Sequence, residues 1–153
     1  NNYGNRIDSI NYALSCDDGL NIKNYERADI ILTGVSRSGK TPTCLFLALQ
    51  YGIFAANYPL IEEDLKTIKL PTILQKNKNK LFGLSINPVR LQNIRDERRS
   101  NSGYASIDQC RKEVKLAEDM FVQNQVPFLD TSHTSIEEIA GRILNKSAIK
   151  RRY

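Results

Sequence analysis

The sequence contains no tryptophan, only one histidine and only three cysteines. The single histidine, His133, cannot supply a histidine-rich metal site, and a lone histidine is more often structural than catalytic. Cys16, Cys44 and Cys110 are odd in number, far apart and include no C-x-x-C pair, which argues against a disulfide scaffold or a zinc site. We therefore expect a reducing, cytoplasmic setting.

Long apolar runs are also missing. The most apolar stretch, residues 44–61, is interrupted by Gln50, Asn57 and Pro59, so the sequence predicts no membrane span. The chain shows no signal peptide and begins with Asn1 instead of methionine, so we expect it to be a piece of a longer protein.

The charge balance is mildly basic. The 22 basic and 17 acidic residues give a net charge of +5, which weakly favours anionic partners such as nucleotides, phosphoproteins or nucleic acids. A nucleic-acid partner is disfavoured because the basic residues are dispersed and no base-stacking or groove-reading motif is present. A length of 153 residues suits one domain with a proper core.

Apolar runs typical of strands alternate with helical patterns along most of the chain. Strands are predicted at residues 28–33, 53–58, 80–86 and 126–129, and helices at residues 42–51, 61–68, 88–99, 107–123 and 136–145. This alternation predicts an α/β fold in which a mostly parallel sheet is flanked by helices. Ligands of such sheets bind at the carboxyl ends of the strands.

Two further segments flank this pattern, one at each end of the chain. Residues 1–27 are polar, with a short helix at 7–14 and a break at Asp17-Asp18-Gly19. We interpret them as a lead-in from a missing N-terminal half, residues 28–145 as the nucleotide-binding domain and residues 146–153 as a basic tail.

Residues 34–41 match the pattern G-x-x-x-x-G-K-[S/T], directly after a predicted strand and before a predicted helix. Glycines allow a tight turn whose N–H groups approach phosphate oxygens, and the following helix adds its positive N-terminal end. Lysine supplies a charge for the terminal phosphates, and the threonine hydroxyl can bind Mg²⁺. The sequence therefore predicts a three-layer, P-loop NTPase-like domain that binds nucleotide through Gly34, Val35, Ser36, Arg37, Ser38, Gly39, Lys40 and Thr41.

Acidic residues at two other places are candidates for chemistry. Asp130 ends the last predicted strand, where it could orient Mg²⁺, act as a base toward a hydroxyl nucleophile or simply cap the next helix. Asp17 and Asp18 could form a second acidic site near the loop, although we favour a turn for them.

Arginines are concentrated in one predicted helix. Arg90, Arg95, Arg98 and Arg99 fall within ten residues, and on a helix Arg95 shares a face with Arg98 or Arg99. Arginine binds phosphate bidentately, so this cluster, Arg95 included, is a candidate for stabilising charge during transfer, the alternative being a solvated face. Arg37, inside the loop, is the stronger single candidate for phosphate contact.

Several blocks of sequence resemble one known family, the bifunctional kinase/pyrophosphorylases that regulate phosphoenolpyruvate synthase or pyruvate, phosphate dikinase. The resemblance covers residues 6–144. The blocks are GVSRSGKTPT (34–43), AANYPL (55–60), KLFGLSINPVRL (80–91), IRDERR (94–99), YASIDQCRKEV (104–114) and SIEEIAGRIL (135–144). Residues 80–84 and the block at 104 are more similar to the synthase-directed branch.

The resemblance implies an activity, a donor and a partner. Family members use ADP to phosphorylate a threonine of the target enzyme, which inactivates it, and reverse this with inorganic phosphate, releasing pyrophosphate. By resemblance, residues 34–41 bind ADP and phosphoenolpyruvate synthase is the protein substrate. Family chains also have a further N-terminal half, so this chain resembles the C-terminal half.

These features suggest a phosphotransferase mechanism. Arg37, Lys40 and the loop N–H groups would hold the phosphates, Thr41 would bind Mg²⁺, and Asp130 or an acid at Asp17-Asp18 would orient or deprotonate the threonine. The alternatives are an ATP-dependent small-molecule kinase and a nucleotide-sensing module without catalysis. The oligomeric state stays open, with a homodimer among the options.

Overall fold

A computed structural model describes residues 2–98 and 105–146. Four strands and seven α-helices are present in this part of the chain. They are α1 (Asn2–Ser15), β1 (Ile30–Gly34), α2 (Lys40–Tyr51), β2 (Ala55–Pro59), α3 (Glu62–Thr67), α4 (Thr72–Lys76), β3 (Leu81–Ser85), α5 (Pro88–Arg98), α6 (Ile107–Gln123), β4 (Phe128–Asp130) and α7 (Ile136–Lys146).

The strands form one parallel sheet in the order β2-β1-β3-β4. Ile31 of β1 lies beside Ala56 of β2 on one side and Leu81 of β3 on the other. The chain therefore leaves β1 toward one edge and returns to its other side. At such a reversal the connections after the two central strands diverge, which opens a crevice at their carboxyl ends.

Helices cover both faces of the sheet, so the predicted three-layer α/β fold is confirmed. Because side chains of a strand alternate between faces, Ile31 packs into one core while Ile30 and Leu32 pack into the other. The first core is completed by residues of α1, α3, α4, α5 and α6, and the second by residues of α2 and α7.

Most of the predicted elements match the structure to within two residues at each end. Ser106 caps α6 by accepting a hydrogen bond from the Gln109 N–H, and Asn87 Oδ1 accepts one from the Val89 N–H at the start of α5. Helix α4 was not predicted. The structure does not describe Arg99, the first residue of the block that begins at residue 104, or residues 147–153, which make up most of the predicted basic tail.

The segment before β1 packs closely against the sheet. Helix α1 contacts α2, and the turn after it contacts β2. The Tyr25 ring is fully buried, and its hydroxyl donates to the Asn57 carbonyl oxygen at 2.9 Å. This segment thus contributes to the core, whereas the domain boundary at residue 28 stays a prediction. Among the residues that the structure describes, no helix combines the length and apolar character needed to cross a bilayer.

Candidate nucleotide-binding site

The glycine loop, residues 34–41, joins β1 to α2 at the carboxyl edge of the sheet. Gly39 has a φ of 99°, a left-handed conformation that glycine adopts without strain, and Arg37 is also left-handed at 71°. Gly39 is the N-cap of α2, and no side chain among the described residues caps this helix end. The first N–H groups of α2 are thus suited to an anion.

Gly34 is required for a different reason, the close approach of β3. A Cβ atom at this position would collide with the Leu84 carbonyl oxygen and would lie only 2.9 Å from Ser38 Oγ. The first glycine of the motif therefore allows the loop to start beside its neighbouring strand.

Three carbonyl oxygens of the loop accept hydrogen bonds from side chains, one of the loop itself and two from other parts of the fold. Val35 O accepts from Lys40 Nζ at 2.8 Å, Ser36 O accepts from Arg95 Nη2 at 3.1 Å, and Ser38 O accepts from Thr131 Oγ1 at 3.0 Å. Thr131 follows β4 and Arg95 lies on α5, so two elements outside the loop are attached to it.

Lys40 is buried, with 5% of its surface exposed, although it carries the motif's positive charge. Burial lowers the pKa of Lys40 from its ordinary 10.5 to about 8, because a charged ammonium group is poorly solvated there. The nearby carboxylate of Asp18 opposes this and favours the charged form, whereas Arg95 adds to the lowering. A bound polyphosphate would supply the negative charge that this ammonium group needs.

The loop borders a cleft of about 610 Å³, a volume typical of sites for small ligands. Its wall includes both basic and acidic side chains. The lining residues are Asp17, Asp18, Ser36, Arg37, Gly39, Lys40, Thr41, Pro42, Ile94 and Arg98.

The acidic side of the cleft is formed by the turn after α1. Thr41 Oγ1 donates to Asp17 Oδ1 at 2.6 Å, and Asn57 Nδ2 donates to the same oxygen at 2.6 Å. Asn57 also accepts from the Asp18 N–H at 2.9 Å, which fixes the turn. The interpretation of Asp17-Asp18 as a turn alone was therefore incomplete, because the turn places both acids at the loop.

Asn57 was not among the predicted site residues. It lies in β2 and is completely buried, although its neighbours Ala55 and Ala56 are apolar. A polar amide inside an apolar strand needs hydrogen-bonding partners, and this was the available signal. Here the partners are Asp17 and Asp18.

Two predicted catalytic residues lie away from this cleft. Asp130 lines a separate depression with Arg111 and Glu118, and its Oδ1 accepts from the Ser132 N–H at 2.8 Å. Arg95 is 0% exposed and makes a bidentate ion pair with Glu113, at 3.0 Å for each contact. Neither residue is among the described residues that line the cleft, whereas Arg98 is.

The cleft offers oxygen ligands that would suit Mg²⁺. The Thr41 hydroxyl and the Asp17 carboxylate are adjacent. The described part of the chain contains no larger cluster of three or more His, Cys, Asp or Glu residues that could hold a metal ion. Mg²⁺ usually keeps several waters and binds one or two protein oxygens together with phosphate, so a small donor set fits this ion.

Comparison with known proteins identifies the family of this chain. The family model described as kinase/pyrophosphorylase matches residues 1–144. A relative from Pseudoalteromonas translucida is 59% identical over 98% of this chain, one from Alteromonas mediterranea is 58% identical over 98%, and one from Laribacter hongkongensis is 56% identical over 99%. All three carry the provisional name phosphoenolpyruvate synthase regulatory protein.

This chain spans about half the length of those relatives, 55% to 56%. The match nevertheless covers the glycine loop, the acidic turn and all four strands. The chain belongs to the kinase/pyrophosphorylase family.

Proposed function

We propose that this chain is the nucleotide-binding catalytic part of an ADP-dependent protein kinase and phosphate-dependent pyrophosphorylase. Its substrate would be a threonine of phosphoenolpyruvate synthase, the enzyme named for the relatives. The observation that carries the proposal is one cleft in which the basic glycine loop faces the carboxylates of Asp17 and Asp18. Phosphoryl transfer to a hydroxyl group needs both kinds of charge.

The basic side of the cleft would bind the diphosphate of ADP. The N–H groups of the loop and of the first turn of α2 would contact phosphate oxygens, with Lys40 as the central cation. Arg37 in the loop and Arg98 on α5 line the same cleft and would add bidentate contacts. Thr41 and Asp17 would hold Mg²⁺, which when bound neutralises part of the diphosphate charge.

The acidic side would receive the threonine hydroxyl. In the forward direction the threonine Oγ forms a bond to the β-phosphorus of ADP, and the bond from this phosphorus to the α–β bridging oxygen breaks. AMP leaves with that oxygen, and the hydroxyl proton passes to a carboxylate. Asp18 is the better candidate for this base, because Asp17 Oδ1 already accepts hydrogen bonds from Thr41 and Asn57.

The reverse reaction would use the same positions. An oxygen of inorganic phosphate forms a bond to the phosphorus of phosphothreonine while the bond from phosphorus to Oγ breaks. In this direction Asp18 starts protonated and gives its proton to Oγ, while pyrophosphate leaves and the proton of the attacking phosphate passes to solvent. One site serves both directions because Oγ would stay next to Asp18, while the attacking phosphate oxygen would take the place that the bridging oxygen of ADP has in the forward direction.

Calorimetric titration with ADP and ATP, each with Mg²⁺, tests the nucleotide part of the proposal. We expect ADP to bind at least as tightly as ATP. A marked preference for ATP would favour a conventional small-molecule kinase, and binding of ADP without transfer to phosphoenolpyruvate synthase in the full-length protein would favour a nucleotide sensor.

A Lys40→Met variant tests whether the two reactions share one site. We expect both phosphorylation and phosphate-dependent release of pyrophosphate to be lost, because both need charge stabilisation at the same phosphoryl group. Lys66→Met on α3, an exposed lysine paired only with Glu62 among the described contacts, is the matched control. Loss of one direction alone would contradict the shared site.

A further inference from the structure

Arg95 makes an uncommon set of contacts for a buried charge. The side chain lies between α5 and α6, where both of its terminal nitrogens reach the carboxylate of Glu113. The same carboxylate accepts a third hydrogen bond, from Gln109 Nε2 at 2.9 Å. A buried arginine is costly unless its partners are well placed, and this carboxylate meets that condition.

This guanidinium group also contacts the glycine loop. Arg95 Nη2 donates to the Ser36 carbonyl oxygen at 3.1 Å, although Arg95 itself is outside the cleft. Ile94 and Arg98 on the same helix do line the cleft. Helix α5 therefore forms one wall of the site and also holds the loop through Arg95.

The contact fixes the direction in which the carbonyl dipole of Ser36 points. A carbonyl oxygen that faced the cleft would repel phosphate, whereas one held by a donor outside the cleft leaves room for N–H groups to face it. Ser36 lines the cleft directly, so the orientation of its peptide affects the electrostatic potential at the phosphate position. Arg95 donates a hydrogen bond to that oxygen.

We propose that Arg95 is a positioning residue for diphosphate binding: it holds the Ser36 carbonyl oxygen away from the phosphates, and Glu113 orients it for this role. The inference deepens the proposed function and rests on it for the identity of the ligand. It assigns Arg95 to the support of the loop instead of to direct contact with the transferring phosphoryl group.

The test compares the affinities of ADP and AMP, which differ by one phosphate. Arg95→Lys keeps the charge, but a single ammonium group cannot reproduce the planar, forked contacts with Glu113 and Ser36. We expect the ratio of ADP to AMP affinity to fall about tenfold or more, the effect of one charge-assisted hydrogen bond. Arg142→Lys, which alters an exposed pair with Glu138 on α7, should leave the ratio unchanged.

A general structural defect would lower the fraction of competent protein and weaken both nucleotides equally, so an unchanged ratio in folded Arg95→Lys would overturn the inference. Should that variant not fold, Glu113→Gln carries the same test with the arginine in place. The amide oxygen of this variant is a weaker acceptor than the carboxylate, so the ratio of ADP to AMP affinity should again fall. An unchanged ratio in this variant would overturn the inference as well.

Hydrogen exchange without nucleotide separates this inference from the proposed function. Arg95→Lys and Glu113→Gln should speed exchange of the amides of residues 35–39 about tenfold, with no change in α7. If the unaltered protein bound no ADP, the proposed function would fail while this experiment still decided the role of Arg95. Unchanged loop exchange in both variants would overturn it.

Discussion

Thr41 and Asp17 share a hydrogen bond of 2.6 Å that connects the first turn of α2 to the turn after α1. The two residues are far apart in the sequence, because Asp17 precedes β1 and Thr41 follows it. Asn57 donates to the same carboxylate oxygen from β2, so three separate segments meet at one atom. The arrangement places an acid beside the hydroxyl group that we propose as a ligand of Mg²⁺.

The first prediction concerns the Mg²⁺ dependence of nucleotide binding. Thr41→Val removes the hydroxyl ligand, so we expect ADP affinity in the presence of Mg²⁺ to fall about tenfold. Without Mg²⁺ the affinity should change by no more than about twofold. Calorimetry with and without EDTA measures both values, and Thr67→Val on α3 is the control. An equal loss under both conditions would assign Thr41 to phosphate contact alone.

The second prediction distinguishes the two candidate bases. Asp18→Asn should lower the rate of phosphorylation by at least about 100-fold, the usual effect of losing a general base, while ADP still binds. Asp130→Asn should change the rate by less than about twofold, because Asp130 lies in a separate depression. Single-turnover assays on the full-length protein measure the chemical step. The opposite ranking would make Asp130 the base.

The third prediction follows from the lowered pKa of Lys40. Bound ADP would surround this ammonium group with negative charge and raise its pKa from about 8. Binding near pH 8 should therefore be accompanied by proton uptake, measured by calorimetry in buffers of different ionisation enthalpy. Lys40→Met should abolish the uptake at this site. Equal uptake by both proteins would mean that another group titrates.

The same pKa also affects stability, which is the fourth prediction. The unfolded chain holds the Lys40 proton up to about pH 10.5 and the folded chain only up to about pH 8. The unfolded state thus binds more protons between these values, so this group's contribution to stability rises with pH there. At neutral pH the charged form costs about 3 kcal/mol.

Urea unfolding of the unaltered protein and of Lys40→Met measures this contribution. The variant should be more stable near pH 7, and its advantage should shrink toward pH 10. An advantage that did not depend on pH would indicate a packing effect instead of titration.

The fifth prediction concerns the segment before β1. A chain that starts at Ala28 would lose the buried rings of Tyr12 and Tyr25, each worth about 1.5–3 kcal/mol of burial. It would also lose Asp17 and the packing of α1 on α2. Since whole domains are stable by only about 5–15 kcal/mol, we expect no cooperative unfolding transition by circular dichroism.

Tyr25→Phe gives a milder version of the same test. Loss of the hydrogen bond to the Asn57 carbonyl oxygen should cost about 1 kcal/mol in urea unfolding. Tyr58→Phe on β2, the strand that carries Asn57, is the matched control. An unchanged midpoint for the truncated chain would support a domain boundary at residue 28.

The strands, the helices and the loop could be predicted because their signals are local. Ile30 to Leu32 form an apolar run, the glycine motif follows directly, and Ser106 precedes a periodic helix that begins at Ile107. Helix α4 was missed because it has five residues, too few for a periodic pattern.

The composition of the site was harder to predict because its acids come from another part of the chain. Asp130 was expected at the loop because it ends a strand, but the next residue, Thr131, donates to the loop, whereas the Asp130 carboxylate accepts from the Ser132 N–H and lines a separate depression. Which side chain at the end of β4 faces the loop could not be derived from local patterns. Asp17 reaches Thr41 only through the packing of α1 and the buried amide of Asn57, contacts between residues distant in sequence.

Gly34 connects the sheet and the ligand site in a way that restricts how this protein can change. Its missing side chain leaves the space in which the Leu84 carbonyl oxygen of β3 lies. A larger residue there would push β3 away from β1, and with it α5, the helix that carries Arg98 into the cleft. A change in the spacing of these two strands would therefore also change the width of the cleft.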